Sequence, residues 1–255
     1  WLGGIGALDF AGGTVVHISS GAAALAAALV IGRRRDYGSA VLSSHNLPLT
    51  ILGAAILWFG WFGFNAASAL AAHGLAASAF VTTHLAAAAA TLSWVGIEWL
   101  HGGKPTSLGA ASGCVAGLVA ITPAAGFVGA MPAVIIGLLA GLVCYGAVQL
   151  KWRAAYDDSL DVVGIHGAGG TLGALATGVF ASTAVNPDGA DGLLFGNPGQ
   201  VGTQAVAVLA TIGYAFVVSF ILLKLVDVVV GLRVTGEEEE IGLDQSQHSE
   251  AAYGA

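Results

Sequence analysis

Asp9-Phe10-Ala11-Gly12-Gly13-Thr14-Val15-Val16-His17 decides how the rest of the chain is read. The string lies in an apolar run, residues 5–31, that is long enough as a helix to cross a hydrocarbon core of about 30 Å. It places an acid and an imidazole where neither belongs unless something holds it, because burying a charged group costs several kcal/mol. Working outward, six more runs of comparable length follow at 48–71, 76–100, 107–125, 129–150, 163–184 and 200–231. Their Ala, Gly, Leu and Val recur with helical spacing, and no ten-residue alternation of the barrel kind is visible. The expectation is an all-α polytopic membrane protein with seven transmembrane helices here. Each helix satisfies its own backbone groups inside lipid.

Composition agrees. The chain is 56% hydrophobic and only 9% charged, against roughly 25% charged for a soluble domain, which is too little to coat a water-exposed surface. The formal charge of −7 does not describe an acidic soluble protein, because much of the acid lies between Glu237 and Glu250. No basic patch for nucleic acid, dithiol metal motif or cofactor motif is present. Cys114 and Cys144 sit in small-residue apolar runs and read as packing residues.

The cations set the topology. Arg33, Arg34 and Arg35 follow the first run, Lys104 the third, and Lys151 and Arg153 the fifth; Lys224 and Arg233 lie toward the end of the seventh. All fall at alternate ends. By the positive-inside rule that side is cytoplasmic, so the N-terminal end of this chain lies outside and the tail inside. Gly109, Gly113 and Gly117, then Gly137 and Gly141, repeat every four residues and form stripes on which helices approach closely.

A second acid–histidine string opens the sixth run: Asp157-Asp158-Ser159-Leu160-Asp161-Val162-Val163-Gly164-Ile165-His166-Gly167-Ala168-Gly169-Gly170. The first run points inward and the sixth outward. Oppositely directed helices with the same order of acid, histidine and glycine resemble inverted repeats, whose substrate site lies at the repeat interface near the midplane. A lone buried histidine is usually a satisfied core residue, but His17 and His166 in matched settings predict a shared pore lining. A metal site would need three or four ligands, and no carboxylate or thiol lies at a suitable depth beside both rings. Asp9 either caps its helix or orients carbonyls and stabilises a cation nearby, the second being favoured. For Asp161 capping and a functional role are equally balanced. Trp61, Phe64 and Ser68 share one helical face and predict a small-cation site by cation–π attraction plus one hydroxyl; an interfacial aromatic belt is the alternative. His84 reads as packing or helix–helix hydrogen bonding.

These strings, together with Gly60-Trp61-Phe62-Gly63-Phe64-Asn65 and Val230-Gly231-Leu232-Arg233-Val234, resemble the ammonium transporter family (Amt/Mep/Rh), in its bacterial or archaeal Amt branch. The resemblance covers essentially the whole chain. It implies an eleven-helix inverted-repeat fold of which this chain begins at the fifth span, with residues 1–234 as the transmembrane domain and 235–255 as a cytoplasmic acidic tail. It further implies a homotrimer in the plasma (inner) membrane with a pore in each subunit. Trp61, Phe64 and Ser68 would recruit and gate ammonium, which would lose its proton and pass as ammonia along His17 and His166. The tail, with Glu237, would pack on inner loops such as that of Arg33, Arg34 and Arg35, and a PII-type signal protein would block the inner pore. No cofactor is implied. Two other readings remain: an ammonium sensor signalling through the tail, and a membrane enzyme, for which no nucleophile or metal set is present. Carbon dioxide conduction, as in the Rh branch, is a weaker option within transport.

Overall fold

The computed structural model describes residues 1–38 and 44–251; the last four residues of the tail expected at 235–255 lie outside them. Among the described residues there is no β-strand. Six helices are long and apolar enough to cross a membrane: α1 (Gly13–Ile31), α2 (Leu47–Ala69), α3 (Gly74–Gly102), α5 (Ala130–Ala154), α6 (Val163–Phe180) and α7 (Gly199–Val230). The shorter apolar helix α4 (Ser107–Ile121) completes the expected seven. Two short helices, α8 (Gly236–Ile241) and α9 (Leu243–His248), form the tail.

Four ends differ from expectation by four residues or more: the fifth helix runs on to Ala154, the sixth stops at Phe180, and two others bear on the site. The first helix starts at Gly13, not near residue 5. Gly12 sits at φ 104°, a left-handed conformation that breaks a helix. Residues 7–12 therefore form a loop, and Asp9 precedes the helix instead of lying inside it. The fourth helix stops at Ile121, not 125, because Pro123 removes the N–H that would continue the ladder. These two interruptions meet. Phe10 N–H donates to the Pro123 carbonyl at 3.0 Å and Ala11 N–H to that of Thr122 at 3.3 Å.

Helix α3 packs against both α4 and α5, and small residues permit it. A Cβ on Gly117 of α4 would come within 2.5 Å of the Ala86 carbonyl oxygen, and one on Gly137 of α5 within 2.3 Å of the same atom. The glycine stripes are where these backbones touch, and dispersion at close approach replaces the hydrophobic drive that lipid cannot supply. Cys114 and Cys144 are buried and free, within a core cluster that includes Trp94, Leu118 and Val119.

Candidate functional site

The two acid–histidine strings fold alike and meet. His17 lies in a π-helical turn, Gly13–Ile18, at the start of α1. His166 lies in another, Val163–Ala168, at the start of α6. A π turn admits one extra residue and is found mostly at functional positions. Asp9 accepts from the N–H groups of Thr14 and Val15 at 3.1 and 3.0 Å, so it caps the first turn. In the second string the capping acid is Asp158, which accepts from Val163 N–H at 2.7 Å. The matched pairs are therefore Asp9 with His17 and Asp158 with His166, each eight residues apart. Asp161 instead sits at φ 59°, with its carboxylate paired to Lys151.

Small residues let the two turns touch. A Cβ on Gly21 would lie 2.4 Å from the Gly167 Cα, and one on Gly170 would lie 2.9 Å from the Gly13 carbonyl oxygen and 3.2 Å from the His17 Cβ. With the backbones this close, the imidazoles face each other, Nδ1 to Nδ1 at 3.2 Å. His17 is 5% exposed, and its Nε2 is buried with no partner among the described protein atoms. Such a group costs about 1–3 kcal/mol when unpaired.

The aromatic residues of α2 form the next layer. Trp61 stacks on His17, ring centroids 5.1 Å apart at 21°, and Phe64 lies 5.9 Å from the same ring. Trp61 and Phe64 meet edge to face at 5.5 Å. Trp61 is fixed by its indole N–H, which donates to Thr122 Oγ1 at 3.0 Å. Ser68 lies one turn beyond Phe64, in the short turn Ala67–Ala69, and its hydroxyl donates to the Phe64 carbonyl at 2.9 Å. Trp61 and Phe64 thus wall His17 directly, while Ser68 stands farther along the same helix. His84 packs against Trp58 and Phe62.

The basic end is tied together by charge. Arg33 donates to the Ala155 carbonyl through Nε at 2.8 Å. Arg34 forks onto Asp157 with two 2.8 Å bonds and adds its backbone N–H. That guanidinium holds the Asp157 carboxyl below the usual carboxylate range. Arg35 pairs with Glu240, and its backbone N–H donates to Glu239. Glu239 also pairs with Arg233 at 2.9 Å. The tail thus rests on the Arg35 loop of its own chain through Glu239 and Glu240; Glu237 is exposed.

A groove of about 880 Å³ away from the histidine pair runs between α1 and α7 and is walled by Val15, Val16, Tyr214 and Val218. Among the described residues no three His, Cys, Asp or Glu side chains cluster as a metal site. Residues whose part in holding the site does not follow from the sequence include Asp158, Lys151, Thr122 and Gln204. Gln204 is fully buried, accepts from Leu8 N–H at 2.7 Å and donates to the carbonyls of Leu8 and Ala174. A glutamine inside an apolar run was the visible signal for the last.

The model of the Ammonium Transporter Family matches residues 1–253. The ammonium transporter of Bacillus subtilis is 54% identical over 254 residues, covering 99% of this chain and 62% of that protein. Ammonium transporter Amt1 of Archaeoglobus fulgidus is 54% identical over 253 residues, 99% of this chain and 64% of that one. The chain therefore spans about six tenths of the length of these relatives. Among solved structures, Saccharomyces cerevisiae Mep2 superposes with a TM-score of 0.87 at 39% identity, over 92% of this chain and 57% of Mep2. A structure described as a sensor Amt protein superposes with a TM-score of 0.89 at 33% identity, over 97% of this chain and 62% of that one.

Proposed function

The chain belongs to the ammonium transporter family as a multi-pass membrane protein, and on that premise we propose that it forms the histidine-lined half of a path moving ammonium nitrogen across the membrane as ammonia. The observation that carries this reading is the 3.2 Å contact between the Nδ1 atoms of His17 and His166. Two neutral imidazoles bonded through Nδ1 must differ. The donor ring leaves a bare Nε2 acceptor, and the acceptor ring carries its proton on Nε2. The pair therefore offers one acceptor and one donor to a guest. Ammonia can both donate and accept, and the buried, unpaired Nε2 of His17 is available to it.

Outside that pair, Trp61 and Phe64 present π faces that attract a cation, and Ser68 supplies a hydroxyl. An ammonium ion held there passes its proton to the bare Nε2 of the histidine pair, forming an imidazolium that relays it onward through the Nδ1 bond. It continues as ammonia into the apolar section, where a charge is costly. Potassium has no proton to give and is turned back. Asp9 steadies the first histidine turn as its cap, and Asp161 belongs to the support of the second. The basic end faces the cytoplasm, and residues 1–234 form the transmembrane part. The complete protein is a homotrimer in the inner membrane, and the tail on Arg35 is the face open to a PII-type regulator. A second reading, ammonium sensing, draws on the sensor Amt likeness and on the tail's contact with Arg35.

The test is reconstitution of the complete protein in proteoliposomes. Ammonium is expected to drive transport with strong preference over potassium, and His17→Asp or His166→Glu to erode that preference at least tenfold. Unchanged selectivity in both variants would remove the twin-histidine mechanism. Loss of signalling on tail deletion, with no ammonium flux in the intact protein, would favour the sensor.

A further inference from the structure

Lys151 is the one lysine or arginine among the described residues that is buried, 8% exposed, at the last turn of α5. A lysine at a helix C-terminus normally reaches for water or the helix's own carbonyls. This one does neither. Its ammonium donates to the Asp158 carbonyl at 2.9 Å and pairs with the Asp161 carboxylate, so it spans the short loop that leads into α6.

Both contacts bear on His166. Asp158, whose carbonyl Lys151 holds, caps the π turn with its carboxylate at Val163 N–H. Asp161, whose carboxylate Lys151 holds, accepts from Ile165 N–H at 2.8 Å through its own carbonyl. The two anchor points of the turn carrying His166 are thus clamped from below by one ammonium. Asp161 keeps a left-handed φ of 59°, which a non-glycine residue holds only where its surroundings fix it. The ion pair provides that fixing.

We propose that Lys151 is a positioning residue for His166, acting through Asp158 and Asp161 to hold the second imidazole at bonding distance from the first. A buried pair of this kind adds little to stability against an apolar replacement, but breaking it by removing one partner is disruptive. Its value here is geometric: an N–H···N bond at 3.2 Å is at the long end of the bonding range, so a small drift of the turn breaks it. The proposal rests on the transport reading above for its consequence, but not for its structural part.

The test uses the complete protein in lipid with ¹⁵N-labelled histidine and compares wild type with Lys151→Met, Lys151→Arg and Asp161→Asn. The expected result is a shift of the His166 ring nitrogens in Lys151→Met and Asp161→Asn, with the Arg variant closer to wild type. Ammonium transport should fall at least tenfold in Lys151→Met, with an altered pH profile, and return to within about threefold in Lys151→Arg. Should Lys151→Met fail to fold, Asp161→Asn decides alone, since it leaves the lysine its carbonyl contact. Unchanged His166 signals in the folded variants would overturn the proposal, as would equal shifts at His17 and His166, which would mean general loosening. If wild type moves no ammonium while His166 alone shifts, the clamp stands and the transport reading fails.

Discussion

The two halves of the histidine site have the same plan and different supports. On the Asp9 side the loop before the π turn is held by neutral groups: Gln204 bonds both backbone atoms of Leu8, and the carbonyls of Thr122 and Pro123 take the N–H groups of Ala11 and Phe10. On the Asp158 side the corresponding loop is held by charge, with Lys151 on Asp158 and Asp161 and Arg34 on Asp157. The lesson is that two strings with the same order of acid, π turn and histidine fold alike on different scaffolding, each suited to its position. The loop of the second half is bonded by Arg34, next to the Arg35 that the tail pairs with. The loop of the first is bonded from helix α7 through Gln204.

This contrast can be broken at several points. The largest effect is expected at Gln204. Replacing it with Leu strands the N–H and C=O of Leu8, and each unsatisfied buried group costs about 1–3 kcal/mol. Thermal unfolding in detergent should show a clear fall in Tm, and an unchanged Tm would mean that the Leu8 loop is not held from α7. Next comes the contact between the halves, which is asymmetric. Gly21→Ala drives a methyl into the Gly167 backbone at 2.4 Å, a clash of the overpacking kind worth about 1–3 kcal/mol. Gly167→Ala meets the Gly21 Cα at an ordinary 3.5 Å and should cost less than about 0.5 kcal/mol. Equal losses would show that the turns do not cross as described.

The caps sharpen the comparison further. Asp9→Ala removes the acceptor for two N–H groups and should cost about 1 kcal/mol, with Asp9→Asn recovering most of it. A small effect is expected at the Arg34–Asp157 tie: the Asp157 side chain is 3% exposed but Arg34 is 43% exposed, so solvent screening holds the pair to about 1 kcal/mol. Its sign is nonetheless definite. The Asp157 carboxyl is held low by Arg34, so its contribution is full above the ordinary aspartate pKa of about 3.9 and is lost as pH falls through the depressed value. Between pH 5 and 8 the tie should not titrate. Asp157→Asn should flatten the acid-side decline in stability.

Much of this was legible in the sequence. The seven apolar runs and the alternation of Arg33–Arg35, Lys104 and Lys151 follow from the free energy of placing charge in lipid, which is local and additive. The pairing of His17 with His166 was foreseeable because two ionisable groups in matched apolar runs have no cheap solution apart from each other. The start of α1 was not, because Gly12 at φ 104° looks the same in sequence as any packing glycine. The capping acid of α6 was not legible either: the sequence leaves Asp161 evenly balanced between capping and a functional role, and the cap is Asp158. Asp157, Asp158 and Asp161 are chemically alike, and only the path of the loop shows which carboxylate reaches Val163. Lys151 read as one more inner-side cation, since its burial depends on a loop seven to ten residues later.

The claim on which the account turns is that the two imidazoles share one hydrogen bond. Solid-state NMR of the histidine-¹⁵N-labelled protein in bilayers tests it most directly, through nitrogen–nitrogen correlation between the rings. A shared bond gives a cross peak joining the Nδ1 atoms of His17 and His166, one protonated and the other bare, that disappears in either single alanine variant. Two rings with the same Nδ1 protonation state and no cross peak would contradict it.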